Sequence, residues 1–152
     1  MVAALTAALI LPVVAAASWP VATSSSWISQ GWHTYHKADD IAAPWGAPIV
    51  PILSGNVVFA GWKQNCGGRQ VYVSHGNGLY SAYYHLSRIS VSKGQSVTRQ
   101  STRLGGVGES GCATGVHVHV EVWRGYPWAS GSYRVHPWAY IDSGSFLPSR
   151  YR

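Results

Sequence analysis

The sequence predicts an all-β fold: a small antiparallel sheet folded on itself as a sandwich or open barrel, with a wrapping C-terminal tail. Three observations carry that reading. The chain has 152 residues, room for one compact domain. Its 17 Gly, 8 Pro, 8 Trp and 9 Tyr, set against 11% charged residues, suit strands and tight turns, and runs of the strong helix formers Glu, Lys, Gln and Leu are few. Strand and turn signals alternate at intervals of about ten residues, the spacing of an antiparallel sheet that returns on itself.

The elements follow in order. Residues 2 to 17 are almost wholly apolar, no Asp, Glu, Lys or Arg precedes Lys37, and the stretch closes on Ala15-Ala16-Ala17, the small-residue pattern that a signal peptidase cuts. It is shorter than the roughly 20 residues that span a bilayer, so residues 1–17 are expected to be an export leader or an apolar anchor. The folded domain is then 18–142, with 143–152 as a tail. Trp19-Pro20-Val21 and Ile28 to Trp32 read as short strands around the Thr-Ser-Ser-Ser stretch at 23–26. Pro48 to Leu53, Asn56 to Trp62, Gln70 to Ser74, Leu79 to Leu86, Leu104 to Val107 and Val116 to Trp123 follow as further strands, separated by Gly-rich turns. The sharpest turn is Gly76-Asn77-Gly78, where Asn and Gly accept positive φ and predict a hairpin. From Tyr126 onward periodicity is weak, which suits a wrapping segment with room for one more short strand. Cys66 and Cys112 are the only cysteines; in an exported chain the pair predicts a disulfide, and no Cys-x-x-Cys or Cys-x-x-His spacing offers a metal site instead.

The residues that carry chemistry are histidines and an aspartate. His36 and Asp40 stand four apart, just before a strand expected to start near Ile41. His117 and His119 alternate with Val118 and Val120, so on a strand both imidazoles share one face. Buried imidazoles need partners, and a catalytic zinc, which takes three protein ligands from His and Asp or Glu, is such a partner. His36, Asp40 and one of His117 and His119 make that set. Asp39 is as close to His36 as Asp40 is, and spacing does not separate them. His33, His75 and His136 show no such spacing and read as structural. The net charge of +6 would draw the surface to a polyanion. The basic residues are scattered from Lys37 to Arg152 rather than gathered in a run, which argues against nucleic acid as a partner.

From Trp19 to Tyr140 the sequence resembles the lysostaphin-like (LytM-type) zinc endopeptidases of bacterial cell walls. The resemblance rests on five blocks in order: the Trp-Pro-Val and Ile-Ser-Gln-Gly-Trp opening, His-Lys-Ala-Asp-Asp-Ile-Ala-Ala-Pro at 36–44, Ser-Gly-Asn-Val-Val-Phe-Ala-Gly-Trp at 54–62, His-Gly-Asn-Gly-Leu-Tyr-Ser-Ala-Tyr-Tyr-His-Leu at 75–86, and Thr-Gly-Val-His-Val-His-Val-Glu at 114–121. It implies zinc on His36, Asp40 and His119, with Asp39 falling where that family carries an apolar residue, and it implies His85 and His117 as catalytic residues. Ala38, Val116 and Ser101 depart from the family's usual Gly, Pro and Gly; none of them removes a ligand.

By the same resemblance, the expected activity is hydrolysis of peptide cross-links or stem peptides of peptidoglycan by a secreted monomer in the cell wall or periplasm. Membrane contact would come only through an uncleaved leader, and the disulfide would brace a wall of the groove. His117 would move a proton from water to the leaving amine, and His85 would orient the water or stabilise the oxyanion. Tyr35, Tyr83 and Tyr84 read equally as oxyanion donors or aromatic packing, and Trp45 and Trp62 read equally as parts of a peptide groove or of the core. The alternative is a non-catalytic wall-binding or hydrolase-activating module of the same fold. Such degenerate relatives lack the ligand set that this chain retains.

Overall fold

The computed structural model describes residues 18–141; the leader expected at 1–17 and the tail expected at 143–152 lie outside the described residues. Eleven strands and one short 3-10 helix follow one another along these residues. They are β1 (Trp27–Gln30), β2 (Asp39–Ala42), β3 (Pro48–Ile49), β4 (Gly55–Lys63), β5 (Gly68–Gly76), β6 (Leu79–Tyr84), β7 (Arg88–Ile89), β8 (Ser96–Val97), β9 (Gly105–Gly106), β10 (His117–Arg124) and β11 (Tyr133–Val135), with the helix at Pro137–Ala139. The large sheet runs β1-β2-β10-β6-β5-β4-β8, and β11 joins it along β10. A small sheet runs β3-β9-β7, and every pairing in both sheets is antiparallel.

The expected all-β, antiparallel class holds, and the differences lie at the strand ends. Trp19-Pro20-Val21 forms a single bridge, Val21 to Ile49, rather than a strand. The run from Pro48 to Leu53 pairs only over Pro48–Ile49, because Pro51 has no amide hydrogen to offer a ladder. β7 and β8 carry too few residues for periodicity to reveal them. The Gly76-Asn77-Gly78 turn does close a hairpin: Asn77 and Gly78 take φ of 49° and 71° between β5 and β6, the positive pair that matches the twist of the flanking strands.

One face of the large sheet shares a core with the small sheet. Ile41, Val57, Val71, Val73, Tyr83, Val118, Val120 and Val122 meet Ile49, Ile52, Leu86, Leu104 and Val107 there. Each fully buried aliphatic side chain contributes roughly 1.5 to 3 kcal/mol. Alternation along each strand then determines what the other face carries. There His117, His119, Glu121 and Trp123 of β10 lie between Asp40 of β2 and Tyr84, Ala82 and Tyr80 of β6, which continue into an aromatic floor with Tyr72 and Phe59.

The Cys66–Cys112 disulfide forms as expected and joins the loop before β5 to the loop before β10. These loops pass so closely that Gly111, at φ 77°, has no space for a side chain: a Cβ there would collide with the Cys66 carbonyl oxygen. The Cys112 amide donates to that same oxygen at 2.8 Å.

Candidate metal centre and groove

Register brings the first two groups of the site together. In the β2–β10 pairing Asp40 stands directly opposite His119, and His119 Nδ1 lies 2.7 Å from Asp40 Oδ1. His36 enters from the turn before β2, where it exchanges two backbone hydrogen bonds with His33. Its Nδ1 lies 3.0 Å from the Gly31 carbonyl, so the ring presents Nε2 to Asp40 Oδ1 at 3.2 Å. Donor atoms of His36, Asp40 and His119 all fall within 4.8 Å of one another.

Two more imidazoles border this cluster. His117 Nδ1 lies 2.8 Å from the Gly115 carbonyl, which leaves Nε2 facing the centre, 3.8 Å from Asp40 Oδ2. His85 follows β6 with φ 65°, an uncommon conformation for a residue with a side chain. That turn is held by the Gly67 carbonyl accepting from the His85 amide at 2.9 Å, and His85 Nδ1 lies 2.8 Å from the Ser110 carbonyl. The His85 and His117 ring centres are 4.9 Å apart. Read from these contacts, His36, His85 and His117 each donate Nδ1–H to a backbone carbonyl and keep an unprotonated Nε2. His119 instead directs both ring nitrogens at carboxylates, Nδ1 at Asp40 and Nε2 at Glu121.

Electrostatics favour positive charge in the middle of this group. Burial works against the ionised Asp40 carboxylate, but the hydrogen bond from His119 and the nearby His119, His36 and His117 outweigh it and hold the group below its ordinary range. Burial likewise works against a charged His119, yet its bonds to Asp40 and Glu121 lift it to about 9. His85 goes the other way: burial, aided by the neighbouring His117 and His119, outweighs its bond to Ser110 and pushes it down. The donor set also fits a divalent cation on a geometric count. His36 Nε2 is buried and makes no hydrogen bond among the described residues, despite lying 3.2 Å from Asp40 Oδ1. A buried lone pair directed at a carboxylate oxygen suits a shared cation, and two imidazoles with one carboxylate are ligands that zinc takes.

The structure therefore gathers all five of the residues singled out in the sequence, and it separates the two aspartates. Asp39 points to the opposite face of β2 and is fully buried. His75 bulges out of the β5–β6 register and binds the Ser54 carbonyl and Ser81 Oγ, while His136 packs on Trp32. Tyr83 faces the core with its hydroxyl bonded to Ser81 and the Ile52 amide, which removes it as an oxyanion donor, and Tyr35 is 94% exposed. Tyr84 does face the groove. A cavity of about 220 Å³ on one side of the cluster is lined by Cys66, Tyr84, His85, Glu121, Trp128 and Arg134, so the disulfide forms part of its wall. A second hollow of about 290 Å³, lined by Gln30, Asp40, Thr114 and His117, opens on the other side. Sequence reasoning missed Glu121 and Arg134 as parts of the site. The period-two run His117, His119, Glu121 contained the signal for the first; nothing local marked the second.

Residues 34–132 match peptidase family M23. A peptidoglycan DD-endopeptidase of Vibrio cholerae, ShyA, is 40% identical over 93 residues, 60% of this chain but 21% of that protein. The chain thus spans about a fifth of the length of that curated relative. Among solved structures, a zinc-containing peptidase from Vibrio cholerae is 30% identical with a TM-score of 0.62, covering 68% of this chain and 35% of that one. Lysostaphin from Staphylococcus simulans shares the fold at 24% identity and a TM-score of 0.71, covering 88% and 60%.

Proposed function

This chain belongs to peptidase family M23, and on that premise we propose that it is an exported, zinc-dependent endopeptidase that hydrolyses peptide cross-links or stem peptides of peptidoglycan. The observation that carries the proposal is the convergence of His36 Nε2, the Asp40 carboxylate and His119 Nδ1 within 4.8 Å, bordered by two further imidazoles. His36, Asp40 and His119 hold the metal; His117 and His85 do the proton work. Zinc held by these three residues would supply Lewis acidity for the scissile carbonyl and would make a water more acidic, towards a pKa of about 7.

The protein's own groups divide the remaining work by tautomer and burial. His117, with Nε2 free and its ring anchored on Gly115, accepts the proton of the attacking water and returns it to the leaving amine. His85, kept neutral by burial, accepts a hydrogen bond and orients that water. Hollows on either side of the cluster let an extended peptide cross it in both directions. The net charge of +6 favours an anionic wall polymer over free peptide, and a disulfide suits an oxidising compartment outside the cytoplasm.

Incubating the purified chain with sacculi should lower their turbidity and release new amino groups, and both effects should vanish on chelation and return with Zn2+. His117→Ala should bind zinc normally and lose about 10²- to 10⁴-fold in rate. A chelator-insensitive activity, or a fully active His117→Ala variant, sinks the mechanism. Stoichiometric zinc without release of amino groups would favour the non-catalytic module.

A further inference from the structure

Glu121 is 1% exposed and sits in the metal-side cavity with all its acceptor capacity in use. Its Oε2 accepts from the Tyr84 hydroxyl at 2.5 Å and from Trp123 Nε1 at 2.7 Å. Its Oε1 accepts from Arg134 Nη1 at 3.0 Å and faces His119 Nε2 at 3.4 Å. Arg134 also rests against two indoles, its guanidinium carbon 5.1 Å from the Trp123 ring centre and 5.0 Å from that of Trp128. Register explains the meeting. Trp123 stands opposite Arg134 in the β10–β11 pair, so Arg134 lies on the face that carries Glu121 and His119.

We propose that Glu121 is the positioning residue of His119: its carboxylate accepts the distal N–H of that imidazole, which orients Nδ1 at the metal, and Arg134 with its two tryptophans fixes Glu121 in place. The inference rests on the reading of His119 as a metal ligand. An imidazole ligand is oriented and made more basic by an acceptor on its far nitrogen, and an ionised acceptor does so most strongly. Glu121 has the geometry of such an acceptor: Oε1 lies between His119 Nε2 and Arg134 Nη1, and Oε2 is held by Tyr84 and Trp123. Arg134 lies beyond the residues 34–132 that match the family, so β11 supplies this support from outside the matched stretch.

The test uses the full chain with Glu121→Gln, Arg134→Met, Arg134→Lys and the double variant Glu121→Gln/Arg134→Met. Zn2+ affinity is measured by competition with a chromophoric chelator, and ligand geometry by the visible spectrum of the cobalt(II)-loaded protein. Thermal unfolding of the metal-free proteins checks the fold. Glu121→Gln should weaken Zn2+ binding by about 10- to 100-fold and change the cobalt spectrum. Arg134→Met should shift both readouts in the same direction, and Arg134→Lys, which keeps the charge without the planar fork, should restore part of the loss. The double variant should bind no more weakly than Glu121→Gln alone.

Folded Glu121→Gln and Arg134→Met proteins with unaltered affinity and spectrum overturn the proposal, and strictly additive losses overturn the part assigned to Arg134. Should Glu121→Gln fail to fold, Arg134→Met decides, since its side chain is one-third exposed. An unaltered chain that binds no Zn2+ overturns the metalloenzyme reading itself, a result the variants cannot imitate.

Discussion

Asp39 and Asp40 are neighbours in the chain, and strand alternation sends their carboxyl groups to opposite faces of the sheet. Asp40 joins three imidazoles; Asp39 is driven into the core, where neither carboxylate oxygen has a hydrogen-bond partner among the described residues. Burial raises the Asp39 carboxyl above 3.8; the charge of His136, a Trp32 amide too poorly placed for a full hydrogen bond, and the charge of His36 offset that only partly. A folded pKa above the unfolded one means that ionisation favours the unfolded chain. The penalty is absent below about pH 3.8 and complete once pH passes the raised folded value. Asp39→Val should therefore stabilise the protein by about 1 to 3 kcal/mol at pH 7, and the gain should shrink as pH falls towards 4. Urea unfolding at the two pH values measures it, and a variant less stable than the parent at pH 7 would show that Asp39 has a partner worth more than its burial costs.

At the scale of elements, one bulged residue ties the β5–β6 hairpin to the loop after β3. His75 binds the Ser54 carbonyl at 3.0 Å and Ser81 Oγ at 2.8 Å, and Ser81 passes the chain on to the Tyr83 hydroxyl, which accepts from the Ile52 amide at 2.9 Å. The network locks the loop after β3 onto the hairpin, and removing one member leaves buried partners unsatisfied. His75→Ala should cost about 1 to 3 kcal/mol. Burial lowers the His75 pKa below 6.5, more than its bond to Ser54 raises it, so the unfolded chain takes up a proton more readily than the folded one. The stabilisation is then fully present above pH 6.5 and fades as pH falls towards the depressed folded value. Denaturant midpoints of the parent and His75→Gln should converge on going from pH 7.5 to 5.5; a constant gap would mean that His75 does not titrate as its burial implies.

For the molecule as a whole, the disulfide restrains the groove, and under the proposed function a cation on His36, Asp40 and His119 would be a second restraint. Cys66–Cys112 closes a span of 46 residues, for which chain entropy gives about 4 kcal/mol at 25 °C. Its loss also frees the loops that hold His85 through Gly67 and Ser110. A Cys66→Ser/Cys112→Ser variant should melt lower and lose activity beyond what its folded fraction explains; normal activity at a temperature where it is fully folded would show that the bond has no part in placing His85. A chelator should lower the melting temperature of the parent by an amount that grows with the Zn2+ concentration it removes, because the ion binds only the folded arrangement. The all-β class, the hairpin turn and the shared face of His117 and His119 were legible in the sequence, since each depends on neighbours a few residues apart. The candidate ligand set was offered by resemblance to a known family, whereas spacing alone left Asp39 and Asp40 tied. Tertiary structure decided the rest: the register that sets Asp40 against His119 across 79 residues, the two-residue strands, and the arrival of Arg134 beside Glu121. Local periodicity records which face a side chain takes, but which faces meet is settled only when strands distant in sequence pair.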